Sequence, residues 1–527
     1  MAPSRRTRPA SAQLLRLAAC LSLTLALLSC GPQRPRTVVL VTLDTLKTHY
    51  IDLYNPDAGL TPFLKELGDA GTVFEHAYTQ VPLTLPAHTA MFTGTSPFSN
   101  GVMANGDLVP EELVTLAERF RDAGYKTAAF PALGVLQPQF QLTQGFDHVA
   151  LWRDDPFRRA FRRAPDVVDD ALEWMAALTD EPAFLWIHLS DPHEPYHPVE
   201  PEPDVALRLG EVTVAELELA SRKTFQVSVE VPPGGTDLQI EPIREARRDD
   251  WPRTRLMVHH LSLAESATGV RLEAPELSHR LRGPLSVRLD NDLDGPAAVT
   301  VEIAGELRLP PKSQARTNYA EEVQLLDREL SRLRDRLHAS GRNDPLWMIV
   351  TDHGEGLFRH GMLGHSDGTW EDQLKLGWLI HGPEIPSLRV QAPVLNVDVG
   401  PTLLELVQLE AFPRTIDGVS RADCLDGECE GRREWSAYGL EHGVDRVRAA
   451  AIYRWPQKAL WIAHRKARAY DLESDPGEVE RLNTEEAERL VEALPRLREL
   501  VQKQLEARGR GVSDPETQRL LESLGYL

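Results

Sequence analysis

Cysteine is scarce in this chain: there are four in 527 residues, at positions 20, 30, 424 and 429. No disulfide scaffold is available to hold the fold, so a hydrophobic core must do it. Positive charge is also in deficit, with 58 Lys and Arg against 79 Asp and Glu and a formal net charge of −21. Binding to a nucleic-acid backbone needs clustered cations, so no nucleic-acid partner is expected. Long apolar runs are missing as well. The longest, from about Leu17 to Leu28, falls short of the roughly 20 residues that a transmembrane helix needs. There is no internal repeat and no low-complexity tract. The 42% hydrophobic content excludes wholesale disorder and a polytopic membrane protein alike. Length alone suggests roughly three domains, although one large α/β core with additions fits equally well.

What is present begins with an address. Residues 1–29 carry Arg5, Arg6, Arg8 and Arg16 and no acid, followed by the apolar run. This is the layout of an export signal. The run ends Leu28-Ser29-Cys30-Gly31, which resembles the lipobox of bacterial lipoproteins, where the cysteine is lipidated and becomes the new N-terminus. An ordinary cleaved signal or an uncleaved anchor are the alternatives. The expected location is the bacterial envelope, periplasmic face or cell surface, held to the membrane by a lipid on Cys30. Loss of four arginines takes the charge from −21 to −25. Export also permits a disulfide between Cys424 and Cys429.

Next comes TVVLVTLDT (37–45), a β-branched run suited to a strand buried on both faces. KTAAF (126–130), AFLWIHL (183–189), LWMIVT (346–351) and GWLIHG (377–382) are similar. Helical patterns lie between them: LTPFLKELGDAG, EELVTLAERFRDAG and YAEEVQLLDRELSRLRDRLHASG. The alternation predicts an α/β fold with a doubly wound, mostly parallel sheet. Residues 203–312 break the rhythm with period-two alternation and Gly, Pro and Asp turns, and read as an inserted β-rich domain. The expected organisation is a signal at 1–29, a discontinuous catalytic domain at 37–202 and 313–420, the insert, and an α+β C-terminal subdomain with a helical tail at 421–527.

In an open α/β sheet, function gathers at the carboxyl ends of the strands. Asp44 follows the first strand, Asp352 and His353 follow LWMIVT, and Asp191 and His193 follow AFLWIHLS. A single such Asp is commonly a helix cap. Three strand ends finishing in Asp, two with a nearby His, point to a divalent-cation site. A hydroxyl beside such an ion becomes nucleophilic. TLPAHTAMFTG (84–94) offers one in Thr84, ahead of a predicted helix whose N-terminal N–H groups can hold an anion.

VTLDTL around Asp44, TLPAHTAMFTG, DPHEPY (191–196), TDHGEG (351–356), LGHSDGTWED (363–372), VDVGPTLLEL (397–406) and the closing ESLGYL, in that order, resemble the bacterial sulfatases of the alkaline phosphatase superfamily. The resemblance spans about residues 37–200 and 315–527 and omits the insert. It implies that Thr84 is the nucleophile and that Asp44, Thr84, Asp352 and His353 hold one divalent metal ion. It implies that His193 and His365 contact the anionic ester or help the leaving group, and that His88 stands where the family has an Arg. Asp191, His197 and His360 are candidates for a second ion or for substrate.

The departures from the family pattern carry information. Typical sulfatases have Cys or Ser at the Thr84 position, oxidised to formylglycine; Thr cannot give that aldehyde, so formylglycine is not expected. Thr45 replaces a second Asp, and Ala132 and Gly134 replace a Lys-x-His pair. Thr and His ligands favour Zn²⁺ or Mn²⁺, with Ca²⁺ the ion of typical sulfatases. The expected function is metal-dependent hydrolysis of sulfate or phosphate esters. An envelope phosphoryl-group transferase of the phosphoethanolamine or phosphoglycerol type is the alternative within the superfamily, and a catalytically silent binding lipoprotein the alternative outside it.

Overall fold

The computed structural model describes residues 34–150, 161–194, 196, 205–217, 223–242, 256–263, 269–273, 279–281, 285–307, 312–427, 429–441 and 445–508. Cys30 and His197 lie outside them. The main sheet has nine strands among the described residues, in the order β17-β2-β16-β15-β1-β5-β3-β4, with β18 also beside β2. These are β1 (Thr37–Leu43), β2 (Thr72–Tyr78), β3 (Lys126–Phe130), β4 (His148–Val149), β5 (Ala183–Leu189), β15 (Leu346–Thr351), β16 (Lys375–His381), β17 (Leu388–Val390) and β18 (Val394–Leu395). Strands β15, β1, β5, β3 and β4 are mutually parallel. One part departs from the expected direction: β16, the GWLIHG run, is antiparallel to both β15 and β2.

Central β1 shows why its sequence takes this place. Val38 and Leu40 face one core with Phe74, Trp186 and Met348, whereas Val39, Val41 and Leu43 face the other with Tyr319 and Leu330. A parallel strand covered on both faces must be apolar at every position. The first face is covered by helices Thr84–Thr93, Leu116–Asp122 and Val399–Leu406, the second by Pro62–Asp69, Ala164–Ala176 and Lys312–Ala339. Helix Leu116–Asp122 begins at a Thr115 and Glu118 capping box, so the preceding Glu111 to Val114 stay outside it.

Strands β6 (Val205–Leu209), β7 (Val212–Leu217), β8 (Lys223–Val231), β9 (Thr236–Pro242), β10 (Leu256–Leu263), β11 (Val270–Glu273), β12 (His279–Leu281), β13 (Leu285–Asn291) and β14 (Ala297–Leu307) form two antiparallel sheets, β12-β10-β14-β8 and β11-β13-β9-β6-β7. They close on a core of their own that includes Leu207, Val231, Leu238, Leu289 and Val301. Strands β19 (Glu434–Leu440), β20 (Val447–Arg454), β21 (Gln457–Ile462) and β22 (Arg468–Asp471) make a fourth sheet, packed against helix Glu485–Ala507. Cys424 and Cys429 are joined by a disulfide. No helix among the described residues is long and apolar enough to cross a membrane.

Candidate active site

The registers of the central strands bring the polar residues together. Leu43 of β1 lies beside Leu189 of β5 and Thr351 of β15, so the chain leaves three adjacent strands at one level. Asp44, Asp352 and His353 are the next residues, and all three are fully buried. Their ligand atoms lie within 4.8 Å of one another, a spacing that suits a metal ion. His353 Nε2 is 3.6 Å from Asp44 Oδ1 and 3.5 Å from Asp352 Oδ2.

Hydrogen bonding orients Asp352 and His353 within the cluster. Asp352 Oδ1 accepts from the N–H of His353 at 2.7 Å and of Thr45 at 3.3 Å, which leaves Oδ2 for the centre. His353 Nδ1 is 3.0 Å from the Gly354 carbonyl. A carbonyl only accepts, so the proton is on Nδ1 and Nε2 carries a lone pair, the arrangement of a metal-binding imidazole. Thr45, although β-branched, has a left-handed backbone with φ 58°. Such a conformation costs about 1–3 kcal/mol and needs outside support. The Tyr319 hydroxyl supplies it, donating to the Thr45 carbonyl at 2.6 Å and accepting from the Lys47 N–H at 2.9 Å.

Thr84 opens its helix and is fully buried, its hydroxyl against the Asp44 carboxylate. Asp352 Oδ2 and His353 Nε2 have no hydrogen-bond partner among the described residues. Buried acceptors converging without donors are costly unless a cation or protons fill the space between them. Burial, with the Asp44 charge next, pushes the Asp352 carboxyl well above the usual carboxylate range. Burial also raises Asp44, partly countered by His193, His353 and the neighbouring Thr84 hydroxyl. Burial pushes His353 down to about 3. The donor set fits a divalent cation.

The first turn of the Thr84 helix is less of an anion cradle than expected. Leu85 N–H is given to Asn105 Oδ1 at 2.9 Å, Ala87 N–H to the Leu83 carbonyl at 3.1 Å, and Pro86 has none. His88 is not a substitute for a fixed Arg charge either. Burial, then His188, holds it well below the ordinary imidazole range. Its Nδ1–H donates to the Thr84 carbonyl at 2.8 Å, so it braces the turn that carries Thr84.

His193 and His365 line up beside the cluster. Ring centroids are 4.8 Å apart between His193 and His365 and 4.6 Å between His365 and His353. His365 Nδ1 is 3.4 Å from Oε2 of Glu355, a buried acid pushed up to about 8 by burial. The second-ion candidates do not join this group among the described residues. Asp191 uses Oδ1 on Arg163 at 2.9 Å and Oδ2 on the Ala164 N–H at 2.9 Å, and so caps a helix. His360 stacks on Trp370 at 3.9 Å and faces Asp372 at 3.7 Å, next to the Lys47 ion pair with Asp372 at 3.0 Å.

Sequence reasoning passed over two residues. Glu355 sits within the quoted TDHGEG motif, where its polarity was visible but its partner was not. His188, inside AFLWIHL, had no signal beyond one polar letter in an apolar strand, yet its Nε2 is 3.5 Å from Asp44 Oδ2.

The family profile described as Sulfatase matches residues 36–409. The chain belongs to the sulfatase family. This is a family of hydrolases in the alkaline-phosphatase-like superfamily. An arylsulfatase of Clostridium perfringens is 23% identical over 506 residues, covering 90% of this chain and 96% of that protein. A choline-sulfatase of Rhizobium meliloti is 25% identical over 451 residues, covering 80% and 77%. Among solved structures, a protein in complex with its substrate D-glucosamine-2-N,6-O-disulfate superposes with a TM-score of 0.58 at 18% identity, covering 92% of this chain and 100% of that one. The phosphonate monoester hydrolase of Agrobacterium radiobacter gives 0.59 at 16% identity, covering 89% and 96%. At these identities the structural likeness establishes the α/β fold.

Proposed function

We propose that this sulfatase-family chain is a metal-dependent hydrolase of sulfate or phosphate esters in which Thr84 is the nucleophile. The observation that supports this reading best is the fully buried Thr84 hydroxyl against the Asp44 carboxylate of the Asp44, Asp352 and His353 cluster. Asp44, Asp352, His353 and Thr84 would hold the ion. When bound, a divalent cation supplies the positive charge that makes a hydroxyl acidic and draws electrons from an ester oxygen.

The chain's own residues account for the rest. Thr84 Oγ1, its proton passing to water, forms the new bond to sulfur or phosphorus as the bond to the departing alcohol breaks on the opposite side. His193 or His365, adjacent to the cluster, protonates that alcohol oxygen. Water then cleaves the Thr84 ester and frees the hydroxyl. Thr84 bears a methyl on Cβ, so oxidation there cannot give an aldehyde and the formylglycine route is closed to this chain. Relatives named as an arylsulfatase and a phosphonate monoester hydrolase support a sulfate- or phosphate-type ester as the substrate. An exported, lipid-anchored form held through Cys30 completes the proposal.

The test is to incubate purified protein with Zn²⁺, Mn²⁺ or Ca²⁺ and aryl sulfates, phosphate monoesters and diesters, and a phosphonate monoester, alongside Thr84→Ala. Turnover of an ester that disappears in the variant supports the reading. Turnover that survives in the variant overturns the nucleophile, and no turnover with any pair of metal and ester overturns the activity.

A further inference from the structure

Asp44 is addressed by two imidazoles, one on each oxygen. His353 Nε2 faces Oδ1 at 3.6 Å, and His188 Nε2 faces Oδ2 at 3.5 Å. The two rings do so in opposite chemical senses. His353 gives its proton to the Gly354 carbonyl through Nδ1 and presents a lone pair to the carboxylate. His188 is the reverse. The Ala132 N–H donates to its Nδ1 at 3.2 Å. A nitrogen that accepts a hydrogen bond carries no proton, so the ring is neutral and its proton sits on Nε2.

This tautomer decides what His188 can do. His88, His188 and Asp352 also have the spacing of a metal-binding group. With its proton on Nε2 and its Nδ1 occupied by the Ala132 N–H, however, His188 has no lone pair to offer an ion, which leaves only His88 and Asp352. The group is therefore not a second ion site. The His188 ring is held by the fold: it belongs to β5, in register with Thr42 of β1, is fully buried, and packs edge-on to His88 with centroids 5.0 Å apart. Among the described residues, neither His188 Nε2 nor Asp44 Oδ2 has another hydrogen-bond partner.

We propose that His188 is a positioning residue, a neutral Nε2–H donor that steadies Oδ2 of Asp44 and so keeps Oδ1 turned toward a cation shared with Asp352 and His353. It rests on the reading of that trio as a metal site. A neutral donor suits the task, because a charged one would compete with the cation for the carboxylate. The backbone at Ala132, where the family's Lys is missing, is what fixes the ring's tautomer. Outer partners of this kind change metal affinity by about 10–100-fold.

The test uses the full chain, freed of metal and titrated with Zn²⁺ and Mn²⁺ by calorimetry, with thermal unfolding measured with and without each ion. His188→Leu, which keeps bulk and loses the donor, is expected to weaken binding about 10–100-fold and to shrink the ion's stabilising shift. His188→Gln, whose amide extends to roughly the Nε2 position, is expected to recover most of the affinity. His188→Asn, too short to reach Asp44, is not. A His188→Leu variant that binds like the wild type overturns the proposal. If that variant does not fold, equal affinity of His188→Gln and His188→Asn overturns it instead. Failure of the wild type itself to bind either ion would overturn the metal reading and this proposal with it, a result visible before any variant is made.

Discussion

His353 Nε2 lies 3.6 Å from Oδ1 of Asp44 and faces it with a lone pair, because the ring's proton is on Nδ1 against the Gly354 carbonyl. Asp352 Oδ2 turns toward the same point at 3.5 Å from that nitrogen. Three acceptors converge in a fully buried space. A divalent cation satisfies all of them at once, whereas protons must otherwise be retained on the acids.

Metal affinity should therefore rise with pH. Burial and the Asp44 charge raise the Asp352 carboxyl, and burial raises Asp44. A raised carboxyl holds its proton to higher pH, and the cation must displace it. Binding releases protons and weakens as pH falls, by up to about tenfold per pH unit for each proton displaced. Calorimetric titration in buffers of different ionisation enthalpy, from about pH 5 to about pH 8, measures both affinity and protons released. A flat profile with no proton release would show that the acids are already ionised without the ion. Asp44→Asn or Asp352→Asn should abolish tight binding.

Thr84 tests the nucleophile with Asp44, Asp352 and His353 left in place to hold the ion. Thr84→Ala should reduce turnover at least about 1000-fold, equivalent to ~4 kcal/mol of barrier, while leaving unfolding temperature nearly unchanged. Thr84→Ser keeps the hydroxyl and should retain much of the rate. Equal losses in both variants would point to packing of the Thr84 methyl rather than to its oxygen.

The strands that carry Asp44, Asp352 and His353 were legible because a central parallel strand is apolar throughout, so the first polar residue marks its carboxyl end. That logic fails for His188. It lies within β5, one residue short of the strand's end, and only its register beside β1 reveals which acid it faces. Direction is not written in an apolar run either, so β16 read like its neighbours although it runs antiparallel to them. The alternating β2, with partly buried Glu75 and His76, did not stand out as a strand of the main sheet. Asp191 shows the opposite error: its place after a strand suggested a ligand, but the start of helix Ala164–Ala176 claims one oxygen and Arg163 the other.

Cys30 provides a prediction about location. If it carries a lipid, the wild-type protein should partition into detergent and incorporate labelled fatty acid, and Cys30→Ser should do neither. Esterase activity of the soluble variant should be unchanged, because the site is built from residues 44–365. Partition of Cys30→Ser into detergent would mean that the apolar run itself is the anchor.

Lys458 of β21 ties the C-terminal sheet to the catalytic domain and should be among the most sensitive positions for stability. Its side chain is fully buried, with Nζ 3.0 Å from Glu371 Oε1 and 2.8 Å from Glu478 Oε1. Glu371 precedes β16 of the main sheet and also accepts from the Tyr453 hydroxyl at 3.0 Å. Burial alone would lower the lysine, but the two glutamates more than offset this and raise it. Burial pushes Glu478 up to about 7 even with the lysine beside it. Lys458→Met should then cost about 3–5 kcal/mol, because it leaves acids buried without their cation. The sign of the pH effect follows: an acid raised in the folded state above its unfolded value favours folding only while protonated. The loss should be smaller at about pH 5 than at about pH 8, as thermal unfolding at the two values would show. Adding Glu371→Gln and Glu478→Gln to Lys458→Met should restore part of the stability. A Lys458→Met variant equally stable at both values would mean that the glutamates had found other cations and that the lysine is not what joins the two sheets.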